Sequence, residues 1–340
     1  MTWTVTARLK LMNRTDQINL RKKAAYISLF VGIGMLVVKV GAYLITGSIA
    51  IFSDAAESVV HIAATSMALY SIILSAKPAD ESHPYGHGNI EFFSAGFEGF
   101  LIVLAAGIII YQAVGDLIAG PELSSLSVGV LFIGAAGLVN LALGLYLVRM
   151  GKKTDSLTLK ADGKHVLTDA VTSIGVIAGI ILVILTDYTF FDPIVAIIVA
   201  VNIVFTGYKL VRESIGGLMM ETDPALLQKL SDLLVSIKKD YWIDLHELRY
   251  WKSGDRTFID FHLILPYYFT IEQSHKEEKR IDEELEKEFT DSQIKIHFDY
   301  CNYDLCKFCN YQKCEVRKEE KKINFEWNLD KLAGNAVYKI

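Results

Sequence analysis

"GSIAIFSDAAESVVHIAATSMALYSIIL", residues Gly47–Leu74, is long enough to cross a bilayer, yet its first half holds Asp54, Glu57 and His61. Ionisable side chains at membrane depth are costly, so by default they face the protein interior and do a job there. Glu57 and His61 are four residues apart, which places both on one face of a helix, with Asp54 one turn earlier on the same stripe. The stretch reads as a membrane span that carries chemistry.

The rest of the chain agrees with a membrane setting. Hydrophobic residues make up 52% of the 340, and they concentrate in the first two thirds. Apolar segments of bilayer length recur there at 24–46, 48–75, 91–118, 125–149, 162–186 and 193–215. Met1–Lys23 is polar and basic, without the apolar core and cleavage site of a secretory signal. Lys and Arg are missing from 40–76, 78–148 and 165–208. They cluster instead at Arg8, Lys10, Arg14, Arg21, Lys22 and Lys23, at Arg149, Lys152, Lys153, Lys160 and Lys164, and at Lys209 and Arg212. The positive-inside rule then predicts both termini in the cytoplasm, and six spans return the chain to its starting side.

From about Glu221 the composition becomes that of a soluble domain. Asp223 followed by Pro224 predicts a helix start, and "PALLQKLSDLLVSIKKD" keeps an apolar stripe at helical spacing. "DLHELRYWKSGDRTFIDFHLILP" alternates in two runs around Ser253 and Gly254, the pattern of a hairpin. "TIEQSHKEEKRIDEELEKEF" predicts a charged amphipathic helix and "QIKIHFDYC" a last strand. The αββαβ order implies a two-layer α+β domain. The expected organisation is a cytoplasmic N-terminal segment 1–23, a six-helix all-α transmembrane domain 24–217, a cytoplasmic α+β domain 218–300 and a polar, irregular, cysteine-bearing tail 301–340. The net charge of −5 sums unlike regions and identifies no partner.

The fifth apolar segment repeats the spacing of the second. "ADGKHVLTDAVTSIG", from Ala161, holds His165 and Asp169 four residues apart. Two helices facing each other through Glu57, His61, His165 and Asp169 would offer two imidazoles and two carboxylates, a donor set suited to Zn²⁺. The plainer reading is that these groups tie helices together; two metal-spaced pairs weigh against it. Asp54 reads as a ligand, a supporting partner or a helix cap, and Lys39 as a structural partner for a carboxylate such as Glu98.

These motifs resemble the cation diffusion facilitators, six-span metal/proton antiporters with a cytoplasmic ferredoxin-like domain, over roughly residues 20–300. The family forms its transport site from a ligand pair on the second span and His-x-x-x-Asp on the fifth, here His165 and Asp169. The second-span positions fall on Glu57 and His61, a departure from the usual terminal Asp that bears on metal preference. "KPADESHPYGHGNIE" matches a loop in which the family carries an acidic residue and two histidines, here Asp80, His83 and His87. They could bind a second metal or only cap the third helix. The resemblance also places His246, His262, His275, His297 and Asp299 where bacterial members hold a binuclear zinc site near the dimer interface. All eight histidines of the chain thereby fall at positions where the family uses ligands.

Cys301, Cys306, Cys309 and Cys314 are spaced C-x4-C-x2-C-x4-C. In a reducing compartment such clusters are metal ligands more often than disulfides. A structural zinc, an iron–sulfur cluster and free thiols all stay open at this point.

The resemblance implies export of divalent cations, Zn²⁺ foremost with other divalent metals allowed, in exchange for protons by alternating access. Gly175 and Gly179 would permit close helix contact during that motion. It further implies a homodimer formed through the cytoplasmic domain, regulatory zinc there, and a bacterial inner-membrane location. No nucleic-acid partner is expected. Two rivals are a metal sensor or scaffold and an intramembrane metalloenzyme; the second is disfavoured because four protein ligands leave no open position for catalysis.

Overall fold

The computed structural model describes residues 14–46, 49–119, 126–186, 188, 190–289, 292–335 and 337. Some helical side chains, those of 45, 46 and 49–57 among them, lie outside the described residues. The chain divides into two compact units, Met1–Met219 and Met220–Ile340, each described by itself.

The first unit is helical: α1 Arg14–Thr46, α2 Ile49–Ser75, α3 Ile90–Ala119, α4 Leu126–Thr154, α5 Leu157–Thr186 and α6 Phe191–Leu218. Each contains one of the expected apolar segments. Several continue past it, α1 starting at Arg14 and α4 ending at Thr154, because the flanking Lys- and Arg-rich turns are good helix formers. Among the described residues, Thr15–Gly41, Ile90–Ile118, Gly134–Thr154 and Pro193–Leu218 are long and apolar enough to cross a membrane, and His61–Ser75 is a shorter apolar stretch. Large apolar side chains point outward from these helices, among them Phe30, Tyr111, Ile118 and Phe205. Such a surface suits lipid and not water.

With the apolar residues turned outward, small residues fill the interior. Ala95, Ala106, Ala161 and Ala200 are fully enclosed between α3, α5 and α6, and Ala24 and Ala25 on α1. α3 packs along α6 and α4 along α5. A Cβ on Gly99 would stand 3.0 Å from the Gly207 carbonyl oxygen, and one on Gly207 2.9 Å from that of Gly99, so α3 and α6 cross backbone to backbone. Gly175 has the expected role, its absent Cβ making way for Val199 on α6. Gly179 lies outside the residues whose side chains are described.

One end of the unit is knit by a buried ion pair. Arg21, expected among the basic flanks, is instead 2% exposed and lies 3.3 Å from Glu91 on α3. Its other terminal nitrogen donates to the Thr154 carbonyl. Ser75 and Ser156 also donate to the Glu91 carboxylate, at 3.1 and 2.8 Å. A single carboxylate thus joins α1, α2, α3 and the α4–α5 junction; removing either partner of such a pair costs about 3–5 kcal/mol. Lys39 donates to Ser58 at 2.8 Å, a hydroxyl on the neighbouring helix.

The second unit contains α7 Pro224–Ser236, β1 Asp244–Ser253, β2 Arg256–Leu265, α8 Ile271–Glu286, β3 Ser292–Tyr300, a 3-10 turn Tyr303–Phe308 and α9 Leu329–Ala333. Asp223 caps α7 through the Ala225 and Leu226 amides, with Pro224 in the first turn, and Thr270 and Gln273 form a capping box on α8. Gly254, at φ 62°, makes the hairpin turn. The sheet order is β1-β2-β3, with β1/β2 antiparallel and β2/β3 parallel.

Alternate residues of β2, Ile259, Phe261, Leu263 and Leu265, face a core shared with Leu230 and Leu234 of α7 and Ile281 and Leu285 of α8. The tail is largely without regular structure, as expected, but it is packed and not loose. Trp327 stacks on Trp242, and Leu332 of α9 is fully enclosed in the same core. Leu305 and Phe308 cover Ile243 and Ile264 on the opposite sheet face. The expected two layers are therefore three at that end of the sheet.

Candidate metal centres

α2 and α5 bring His61 and His165 together with ring centroids 5.2 Å apart and planes at 27°. Ligand atoms of His61, His165 and Asp169 all lie within 4.8 Å of one another. The helical repeat accounts for this: His165 and Asp169 share a face of α5, and His61 meets them from α2. The Nδ1 atoms of both rings are buried without a hydrogen-bond partner among the described residues. Buried polar atoms are rarely left so, and an ion or a proton would satisfy these. The side chains of Asp54 and Glu57 lie outside the described residues.

Two carboxylates that the spacing analysis passed over lie in the same interior. Asp162, three residues before His165, is fully buried, accepts from Thr65 at 3.3 Å and has a partnerless second oxygen. Glu98 on α3 is likewise enclosed with Oε1 unpartnered among the described residues.

Between α2 and α3, Asp80, His83 and His87 form a second group. The His83 backbone N–H donates to Asp80 at 2.7 Å and its ring lies 3.1 Å from the same oxygen; His87 Nε2 is 3.3 Å from the other. The His83 amide holds the Asp80 carboxyl below its ordinary range. The two rings gather on Asp80 with centroids 4.4 Å apart, and the start of α3 is met by the His87 carbonyl, which accepts from the Ile90 amide.

The third group is made by strand register. His246 pairs with His262 across β1/β2, and His262 with His297 across β2/β3, so three imidazoles form a row over the sheet. Their centroids are 5.0 and 4.4 Å apart. Asp299, two residues beyond His297 and hence on its face, lies 2.9 Å from His262 Nδ1 and 3.5 Å from His297 Nε2. Ligand atoms of His246, His262 and Asp299 fall within 4.8 Å of one another. Asp244 stands 3.3 Å behind His246 and is itself paired with Lys331 of α9 at 2.8 Å. Burial pushes the His246 imidazole down and the Asp244 carboxyl up. A bulge after His246, with Glu247 at φ 53°, swings the Glu247 carboxylate to 3.9 Å from His262. His275 is not brought into the row. It is exposed on α8 and bonded to Glu278, which lines an open cavity beside His262 and His297.

The four cysteines are free thiols lining one small cavity. They do so at wider spacing than the histidine groups. Burial pushes the thiols of Cys301 and Cys309 up.

Comparison with known proteins agrees with this anatomy. The cation efflux transmembrane domain matches residues 25–219, and the cation efflux protein cytoplasmic domain matches 223–301. An uncharacterised transporter of Synechocystis is 34% identical over 281 residues, 82% of this chain and 90% of its own. A cadmium, cobalt and zinc/H(+)-K(+) antiporter of Bacillus subtilis is 27% identical over 85% of this chain and 93% of its own. The manganese efflux system protein MneP of the same organism is 27% identical over 83% and 97%. Helices long and apolar enough to cross a membrane, joined to a small mixed α/β unit, agree with an integral membrane protein of a transporter family. The chain belongs to the cation efflux family, the cation diffusion facilitators.

Proposed function

We propose that this protein exports divalent cations, zinc foremost, from the cytoplasm in exchange for protons across a bacterial inner membrane. In this reading α1 to α6 all span the bilayer, both termini are cytoplasmic, and the ion binds His61, His165 and Asp169. Glu57 is assigned the fourth position by its spacing from His61. The observation that carries the reading is the pair of stacked imidazoles from two helices, each with a buried, partnerless Nδ1, gathered with one carboxylate.

Imidazoles must lose protons before they bind a cation, so ion and protons compete for one site. Histidine titrates near neutrality, which lets a more acidic exterior load protons and expel the ion. The names of the Bacillus relatives, one an antiporter for cadmium, cobalt and zinc and one a manganese exporter, support a divalent cargo. In the ferredoxin-like cytoplasmic domain, the row His246, His262 and His297 with Asp299 would hold regulatory zinc in a homodimer and bias the transport equilibrium by differential binding. Asp80, His83 and His87 would form a further site on the cytoplasmic loop.

Purified protein in sealed vesicles, loaded with a zinc-sensitive dye and given a proton gradient, tests the reading. Zinc accumulation that collapses with the gradient is expected. Zinc binding without flux would replace the transporter by a sensor.

A further inference from the structure

Both matched domains end by residue 301, and the tail beyond them builds a site of its own. The Cys301 amide bonds to the Leu265 carbonyl at 3.0 Å, extending the β2–β3 pairing by one step. The chain then folds back over the sheet, anchored by Leu305 and Phe308 on Ile243 and Ile264. Arg317 closes the resulting loop, donating to the carbonyls of Cys306, Cys309 and Tyr311 at 3.4, 3.1 and 2.9 Å. Inside it, all four cysteines line a cavity of ≈ 20 Å³ together with Ile243, Pro266 and Leu305.

That space is about one water-sized probe, enough for a single ion and too little for an iron–sulfur cube. The Tyr311 amide donates to Cys309 Sγ at 3.4 Å. Such an outer-shell donor orients a metal-bound ligand and spreads its charge, and the Arg317 guanidinium, bonded to the Cys309 carbonyl, lies close enough to offset part of it. Four soft donors around a one-ion cavity select a soft or borderline tetrahedral cation.

We propose that Cys301, Cys306, Cys309 and Cys314 bind one Zn²⁺, or Cd²⁺ by the same thiolate chemistry, as a staple that fastens the tail to the sheet. Binding draws the loop inward, closing the sulfurs to tetrahedral spacing, and releases the thiol protons. The site is independent of the transport reading.

Full-length protein in detergent, reduced and titrated with Co²⁺, tests the assignment. A thiolate-to-cobalt charge-transfer band should saturate at one equivalent and be displaced by Zn²⁺. It should persist in Asp169→Ala, whose lesion lies in the helical unit, and vanish in the double variant Cys306→Ser, Cys309→Ser. Wild-type thiols should also react with an alkylating reagent several-fold more slowly when Zn²⁺ is present, a readout that needs no variant. Absence of the band with alkylation unchanged by zinc would overturn the proposal. So would iron with acid-labile sulfide in anaerobically purified protein.

Discussion

The histidines of the helical unit and the more open ones of the sheet are supported differently. In the helices, His165 is buried and His61 half-buried, each with a buried, unpartnered Nδ1. On the sheet, His262 and His297 already have Asp299 at 2.9 and 3.5 Å, while the buried His246, 3.3 Å from Asp244, keeps an unpartnered Nδ1 like the helical pair. The first arrangement is unsatisfied when empty, which suits a site that must always hold either an ion or protons. In the second, Asp299 already pairs with His262 and His297 when no ion is bound, so metal at those two rings is optional, as a regulator requires. The same imidazole chemistry is tuned by what stands behind it.

The strongest way to break this comparison is Asp169→Ala. Loss of the carboxylate facing both helical imidazoles should lower vesicle zinc flux at least about 100-fold while the protein still purifies folded. Flux at the wild-type rate would remove Asp169 from the site. Replacing His246, His262 and His297 together by Ala, in a background with Cys306→Ser and Cys309→Ser, should leave the initial flux rate unchanged but abolish zinc-induced stabilisation of the sheet unit. That stabilisation is about 2.7 kcal/mol when free zinc is 100-fold above Kd. A thermal-shift titration indifferent to the triple variant would end the regulatory role.

A smaller effect sharpens the helical half. His61→Asp exchanges a nitrogen donor for a harder oxygen, so the zinc-to-manganese flux ratio should fall by about tenfold in competition assays at one pH. An unchanged ratio would mean that His61 does not touch the ion. The smallest effect concerns the sheet unit's own pH response. Lys238 lies 3.5 Å over the Trp327 ring, and burial pushes its ammonium down to about 8, outweighing the attraction of Asp244. Between that value and its unfolded pKa of about 10.4, the unfolded state holds more protons, so stability rises with pH across this window. Urea unfolding at the two ends of the window should show wild type gaining stability relative to Lys238→Met, the buried thiols of Cys301 and Cys309 affecting both proteins alike.

How much could be read beforehand follows from the same contrast. Helix ligands four residues apart are visible in a string of letters because the repeat is local. Asp162 was visible too, three residues before His165, but its role depends on burial that spacing does not reveal. The sheet row joins residues far apart in the chain through a register that only the folded sheet sets. Asp244 and Glu247 enter it through strand alternation and a bulge, and Lys331 through a helix that no periodic pattern announced. The packing of the tail was hidden for a related reason: Leu305, Phe308, Trp327 and Leu332 are scattered without a period, yet all are buried.

The Arg21–Glu91 knot has a consequence for how the protein is made. Arg21 meets a carboxylate 70 residues downstream and a carbonyl 133 residues downstream. At roughly 5–20 residues per second, the ribosome needs on the order of ten seconds to deliver both. Until then the Arg21 guanidinium lacks its Glu91 and Thr154 partners. α1 should thus be among the last of the described helices to settle, and nascent chains arrested before Thr154 should leave a cysteine introduced in place of the fully buried Ala25 open to water-borne maleimides that the finished protein excludes.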